Sequence, residues 1–565
     1  MPISNDKLLS KTAIRFNSIG ESIIFVAMDT KRTTRGYAVG IQEFDTIRTK
    51  GAVYVDKTEY VWKMVNANAQ TYFLSRPRRF GKSLLISTLQ AYFEGRKELF
   101  EGLAISQYER EWRKFPVVRL NLSRGKYYEL DRVHGTINSL LSDHEERWNV
   151  TGIPDPYNYD ARLSAIIRAA YKETGEKVVV LIDEYDAPML DSVKDPELQD
   201  KIRDRIRNLF SPLKAEEAYL RFVFLTGISK FSQLSVFSEL NNLNILTYNP
   251  EFEGICGITQ EELETQLHAD VEQLAERMTQ QWSKYGEHYD YDSMLALLKK
   301  KYDGYHFSRN LADIYNPWSL IYAFNEGDVG NYWFGTGTPS SLIDLLRTKY
   351  LYIPELENYH CRLEDFDAPT ERIDDPVPVL FQSGYLTLKE YDRYSDEYVL
   401  GFPNEEVYHG FAASLYKYYF EGYPRGKNTI TGAFTRFRLK QYTLDEFLKA
   451  VQQFFAGIPY SITDKNQNEQ FYQSNLYNLL VAAGAQVHAE QQTATGRMDI
   501  TLTMQDAIYI LELKYNKSAD HALSQIKEKK YTVAFVSDPR PVYAVGLNFT
   551  SNSHTLDSWT VERTK

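Results

Sequence analysis

Cysteine is scarce: only Cys256 and Cys361 occur in 565 residues, far apart in sequence. That excludes a disulfide framework and a Cys-x-x-Cys zinc site, and it suits a reducing cytoplasm, where the chain is expected to act. No apolar run approaches the ~18 residues needed to span a bilayer. The strand-like "VVVLI" at 178–182 is among the longest, so no membrane partner is expected. Positive charge is not in excess either. With 65 Lys and Arg against 76 Asp and Glu, the net charge of −11 excludes a protein that coats nucleic acid through a general basic field, although it leaves room for a local groove. Internal repeats and low-complexity tracts are absent. Lys7, Lys11 and Arg15 ahead of "SIIFVAM" imitate a signal peptide weakly, but Glu21 interrupts the pattern and no small-residue cleavage site follows. Residues 1–36 are expected to form a poorly ordered extension.

What is present is the composition of an ordinary folded protein, 43% hydrophobic and 25% charged, and the length calls for several domains. From 37 to 258 short apolar runs alternate with amphipathic stretches, the pattern of an α/β unit with a mostly parallel sheet. The expected strands are "TYFLS" (71–75), "PVVRLNLS" (116–123), "KVVVLID" (177–183) and "RFVFLTG" (221–227). Residues 259–330 open on "TQEELETQL", with Thr259 as a helix cap, and read as a helical lid. Residues 331–459, rich in aromatics and broken by prolines, read as a connector of helices and a small sheet. Residues 460–565 form a compact terminal unit with a helix at 467–483, two strands around a tight turn, and another helix.

"SRPRRFGKS" (75–83) lies after a strand and before a helix. Gly81, Lys82 and Ser83 match the end of a phosphate-binding (Walker A) loop, in which lysine reaches the terminal phosphates and the hydroxyl holds magnesium, but Arg76 stands where the first glycine belongs. About a hundred residues later "VVVLIDEYDAP" ends an apolar strand in Asp183 and Glu184. An acid pair in that place suits magnesium binding at Asp183 and water activation at Glu184. Thr226 or Ser229, at the end of a further strand, would orient the attacking water, and Thr226 is preferred. Arg78 and Arg79 either clamp phosphate or meet acids on the lid. Asp56 and Lys57 either line the same site or, for Asp56, cap a helix.

"YVDKTEYVWKMV", "YFLSRPRRFGKSLLISTLQAYFEG", "VVVLIDEYDAPML", "FLTGISKFS" and "YDGYHFS…YNPWSL" together resemble the AAA-ATPase-like family over about residues 37–325. The resemblance implies a P-loop NTPase fold, ATP as ligand, and an arginine-bearing phosphate loop in which Arg76 is a family variant.

"GRMDITLTMQDAIYILELKY" (496–515) carries a second constellation. If Gln505 and Asp506 form the turn of a hairpin, Asp499 falls opposite Glu512 and Lys514 shares their face. Two carboxylates so close repel unless a cation lies between them, and magnesium, with manganese as an alternative, would relieve that while the lysine stabilises charge on a phosphodiester. The alternative is a solvated charged face with a Glu-Lys pair. A helix bearing Glu469 precedes and one bearing Gln525 follows. This order resembles the PD-(D/E)XK nuclease superfamily, with Met498 where the signature has proline. The resemblance implies a small restriction-endonuclease-like α/β domain in which Asp499 and Glu512 bind metal, Lys514 assists catalysis, and Glu469 and Gln525 support the metal and its water. From residue 460 onward ten Lys and Arg face eleven Asp and Glu, so no strong basic surface advertises DNA.

The expected function is an ATPase coupled to a metal-dependent nuclease acting on nucleic acid, with DNA preferred. One competitor is a nucleotide-dependent switch or scaffold that binds nucleic acid or a protein without cutting. Another is an oligomeric ATPase acting on proteins, for which arginine fingers from a neighbouring chain would be required; the sequence leaves the oligomeric state open.

Overall fold

The computed structural model of the chain describes residues 36–192, 195–229, 243–334, 353–368, 375–419, 424–458, 468–493 and 496–565. The expected N-terminal extension up to residue 35 and the border expected near 459/460 lie outside the described residues.

Strands β1 (Thr71–Ser75), β2 (Val117–Asn121), β3 (Val178–Asp183), β4 (Leu220–Gly227) and β5 (Leu243–Ile245) form one sheet in the order β2-β3-β4-β1-β5, and every pairing is parallel. A parallel sheet needs apolar cover on both faces, and the side-chain alternation of each strand supplies it. Tyr72, Leu74, Leu181 and Phe224 pack with Leu85, Ile86 and Leu89 of the helix Lys82–Phe93. Phe73, Val180, Ile182 and Leu225 face the other way, onto Ile137, Leu163 and Ile166 of the helices Leu130–Arg147 and Tyr159–Thr174. Because β4 stands between β1 and β3, the phosphate loop after β1 and the acids after β3 open at the same sheet edge, one strand apart.

Thr259 caps the helix Gln260–Gln266 as expected: its hydroxyl accepts from Glu262 N–H at 3.1 Å, and the Glu262 carboxylate accepts from Thr259 N–H at 2.8 Å. That helix, His268–Trp282, Tyr291–Tyr302 and Pro317–Glu326 share a core of their own around Leu263, Leu274, Leu298 and Leu320. A two-stranded sheet, β6 (Ile258–Thr259) with β7 (Ile314–Tyr315), closes its base. Next come the antiparallel strands β8 (Tyr359–Cys361), β9 (Thr387–Asp392) and β10 (Glu397–Gly401), in the order β8-β10-β9, and the helices Glu405–Tyr419, Pro424–Arg438 and Leu444–Ala456.

The C-terminal sheet has five strands, not only the expected hairpin: β11 (Gln486–Thr493), β12 (Gly496–Thr503), β13 (Ile508–Tyr515), β14 (Val542–Thr550) and β15 (Thr555–Arg563), paired in that order. Only β13 and β14 run parallel, joined across the helix Ala519–Glu528. The register of β12 on β13 is the expected one, with Ile500 opposite Leu511 and Thr503 opposite Ile508. One apolar core then runs without interruption from Leu89 through Tyr385, Phe411, Phe447 and Phe454 to Leu476, Leu511 and Val545, so the ATPase-like and C-terminal sheets are joined by packed side chains and not merely by chain.

Candidate functional site

A cleft of about 410 Å³ opens at the C-terminal edge of the parallel sheet. Its floor is Gly81, Lys82, Ser83 and Glu184; its walls are Ala38–Gln42 on one side and Pro317, Trp318, Ile321 and Tyr322 on the other. Gly81 has φ +93 and leads directly into the helix Lys82–Phe93, a turn that a side chain would strain. The N-terminus of that helix attracts anions through its free N–H groups. Lys82 is 4% exposed and its ammonium donates to the loop carbonyls of Arg76 at 2.9 Å and Pro77 at 3.0 Å. Burial lowers its pKa, against the pull of Glu184, Asp186 and Asp183.

Asp183 is fully buried, and neither carboxylate oxygen meets a partner at full hydrogen-bond geometry although the Ser83 hydroxyl lies near. Burial pushes its pKa up to about 6, with the Ser83 hydroxyl and Lys82 pulling the other way and Glu184 adding to the rise. Glu184 has φ +49, a conformation disfavoured outside glycine, and it turns the chain so that the residue lines the cleft. Asp186 was not anticipated. Its carboxylate accepts from the N–H groups of Ile228 and Ser229 at 2.9 Å each, and so ties the loop after β3 to the end of β4.

Two sequence expectations need correction. Arg76 does not face the cleft: it is 1% exposed, donates to the carbonyls of Ser75 at 3.0 Å and Thr247 at 2.9 Å, and stacks 4.1 Å from the Phe307 ring. It braces the loop from behind. Thr226 is fully buried, absent from the cleft lining, and donates its hydroxyl to the carbonyl of Leu74 at 2.8 Å, so it fastens β4 to β1. Asp56 accepts from Thr58 N–H at 2.9 Å and Ala104 N–H at 2.7 Å, the cap-like alternative, and Lys57 pairs with Glu262 at 2.5 Å. Arg78 and Arg79 do line the cleft, and the Arg79 guanidinium lies 4.0 Å over the ring of Trp318, an aromatic contact where lid acids had been one alternative. Arg76→Ala is therefore expected to destabilise the fold by about 2–3 kcal/mol, the worth of charged hydrogen bonds to buried carbonyls. Arg79→Ala should leave stability unchanged and weaken nucleotide binding; chemical denaturation and nucleotide titration of both variants separate the two roles.

The second constellation lies on β12 and β13. Glu512 is fully buried, Lys514 is 4% exposed, and the Lys514 ammonium lies 3.1 Å from Glu512 and 3.2 Å from Glu469. Glu469 starts the helix Glu469–Ala482, and its other oxygen accepts from Tyr515 N–H at 3.2 Å. Asp499 accepts from Leu513 N–H at 2.8 Å. Burial pushes the Glu512 carboxyl up to about 8, the Asp499 charge adds to it, and Lys514 opposes both. Burial alone would lower Lys514; the Glu512 and Asp499 charges outweigh it and hold the ammonium above its ordinary pKa. Such burial rules out the solvated-face alternative. Glu512 Oε2 has no hydrogen-bond partner. Gln525 is half-buried beside Tyr531, whose hydroxyl donates to the carbonyl of Arg497 at 2.7 Å and so anchors β12 two residues before Asp499. Tyr531 had no signal in the sequence beyond its aromaticity.

Among the described residues no group of three or more His, Cys, Asp and Glu side chains is arranged to hold a metal ion. Magnesium does not require one, because it keeps several waters and takes one or two carboxylates. The unpartnered oxygens of Asp183, and of Glu512 beside Asp499, fit a hard cation on those terms. No described helix is long and apolar enough to cross a membrane.

The family model described as predicted AAA-ATPase matches residues 38–237, and that of the PD-(D/E)XK nuclease superfamily matches residues 467–559. A protein of Azotobacter chroococcum mcd 1, described as an uncharacterized protein in the vnfD 5' region, is 32% identical over 542 residues, which cover 93% of this chain and 98% of that one. The likeness runs almost from end to end. With its parallel sheet, its phosphate-type loop and its mixed C-terminal sheet, the chain belongs to the AAA-ATPase-like family and carries a C-terminal domain of the PD-(D/E)XK nuclease superfamily.

Proposed function

We propose that the chain binds and hydrolyses ATP in the cleft and cleaves phosphodiesters of nucleic acid, DNA before RNA, at the Asp499–Glu512–Lys514 site. One observation carries the reading at both places. Asp183 and Glu512 are fully buried acids with unpartnered oxygens, which is costly unless a proton or a cation satisfies them. Both unpaired cysteines are buried, in keeping with action in a reducing cytoplasm.

In the cleft, Lys82 exchanges its two carbonyl acceptors for phosphate oxygens, a stronger charge-assisted pairing. Glu184 orients the attacking water and accepts its proton. The apolar hollow that continues past Ala38 and Ile41 to Val53, Tyr54 and Phe80 receives the base. At the second site Lys514 stabilises negative charge on the phosphodiester, Glu469 holds Lys514 in place, and Gln525 supports the attacking water. Magnesium at Ser83 and Asp183, and magnesium or manganese at Asp499 and Glu512, supplies charge neutralisation and Lewis acidity.

The test is cleavage of linear, circular and single-stranded DNA and of RNA with magnesium or manganese, with and without ATP, in wild type, Glu512→Ala and Lys82→Ala. Cleavage is expected in wild type, absent in Glu512→Ala, and altered in its ATP response in Lys82→Ala. A second reading rests on Lys514, which is already engaged by Glu512 and Glu469: the C-terminal unit then binds nucleic acid or a protein without cutting it. ATP hydrolysis with no substrate cut under any metal would select that reading.

A further inference from the structure

Glu406 belongs to neither site, yet it is 1% exposed and both its oxygens are committed. One accepts from the backbone N–H of Trp333 at 2.7 Å, the other from the Ser319 hydroxyl at 2.6 Å. Each partner leads to a different wall of the nucleotide cleft. Ser319 follows Trp318 in the helix Pro317–Glu326, and Trp318 carries the Arg79 guanidinium. Trp333 gives its indole N–H to the carbonyl of Arg78 at 3.0 Å. A single carboxylate therefore holds the lid helix and, through one indole, the phosphate loop.

Glu406 lies in the first turn of the helix Glu405–Tyr419. Next to it Phe334 presses on this helix at Gly410, where a Cβ would come within 2.3 Å of the ring, and Tyr385 bridges Trp333 to Phe411. The same helix is bonded to Glu469–Ala482: the Tyr408 and Tyr477 hydroxyls share a hydrogen bond, and His409 Nδ1 donates to the carbonyl of Val481 at 3.0 Å. The first residue of that second helix is Glu469, which touches Lys514 and Tyr515. Close-packed interiors do not absorb small displacements locally, and a buried carboxyl group resists giving up the hydrogen bonds that satisfy it. Glu406 is held by both partners at once.

We infer that Glu406 and the helix Glu405–Tyr419 couple the nucleotide cleft to the Glu469 end of the nuclease-like site, so that ATP occupancy repositions Lys514. This rests on the ATP-binding reading above and adds the regulation of the second site. Glu406 is a positioning residue and makes no contact with a ligand.

The experiment needs no nuclease activity. Amide hydrogen exchange is followed in the full chain, in peptides covering 468–482 and 508–518, with and without magnesium and ATPγS, whose affinity is measured in parallel. Binding is expected to change exchange at these peptides in wild type by about fivefold or more, the lower end of ordinary allosteric coupling. In Glu406→Gln and in Ser319→Ala, which removes only one of the two bonds, ATPγS affinity persists and the distant change falls below about twofold. A distant response retained in both variants overturns the inference, as does a wild type that binds ATPγS without any response there. A wild type that binds no ATPγS fails in the affinity measurement itself, and takes the ATP reading and the coupling down together.

Discussion

Glu184→Gln is expected to retain ATP binding and to lower turnover by about 100- to 10,000-fold, the range for losing a general base. The side chain reaches the cleft floor from a backbone held at φ +49, next to a fully buried Asp183 and across from Lys82. Non-glycine residues at such φ cost of order 1–3 kcal/mol and collect at functional sites. The strain supplies a second arm to the experiment. Glu184→Gly should lose turnover as Glu184→Gln does, yet be at least as resistant to thermal unfolding as wild type, because glycine adopts that conformation freely. Hydrolysis that survives in Glu184→Gln would remove Glu184 from the chemistry and leave it a turn residue. Lys82→Ala is the contrasting case, in which binding itself fails.

The second large effect concerns Glu512. Glu512→Gln should bring cleavage to background, while Lys514→Ala should cost about 100- to 1,000-fold, as for loss of one preorganised charge-stabilising donor. The carboxyl is raised to about 8 by burial and by Asp499, and a metal binds only the deprotonated carboxylate, so cleavage at fixed metal should climb as pH rises from 6 through 8. Stability in the absence of metal runs the other way. The folded chain keeps this proton between the ordinary value of 4.5 and about 8 while the unfolded chain has lost it, so folding is favoured below that window and weakened as pH rises through it. Glu512→Gln removes this contribution. Thermal melts in chelator from pH 5 to 9 should therefore converge at low pH, with wild type falling below the variant at high pH, and added magnesium should restore wild type alone. Parallel melting curves with and without magnesium would exclude a cation at Glu512.

Much of this was legible in the chain because period and turn chemistry dictate it. The alternation of Ile500, Leu502, Leu511 and Leu513 fixes which face of the hairpin is core, and a two-residue turn then leaves Asp499, Glu512 and Lys514 together on the other. Met498, the departure from the nuclease signature, is fully buried among Ile508, Ile510, Ile526 and Tyr531, so its place asks for volume and not for proline. What escaped depended on partners far away in sequence. Whether Arg76 turns toward phosphate or toward the carbonyl of Thr247 is decided by residues some 170 positions on, and no spacing rule reports that. Thr226 sits at the expected strand end, but its hydroxyl is consumed by the parallel neighbour Leu74, a pairing set by strand order. The walls at Ala38–Gln42 and Pro317–Tyr322 meet only because the lid folds back over the sheet. On the exposed side of the helix Ala519–Glu528, Lys527 pairs with Glu562 at 2.6 Å, as on a solvated helix face.

The uninterrupted core from Leu89 to Val545 also bears on inheritance. Phe447, Val451 and Phe454 bury themselves in the same apolar mass as Leu511 and Val545, so a recombination that grafted another C-terminal sheet onto this chain just before Asn468 would strand a greasy face against a stranger. Such a hybrid would be selected against on solubility before its chemistry was ever tested. The helices from Glu405 to Ala456 must therefore travel with the sheet they cover, and a graft border just before Asn468 should be rare among relatives.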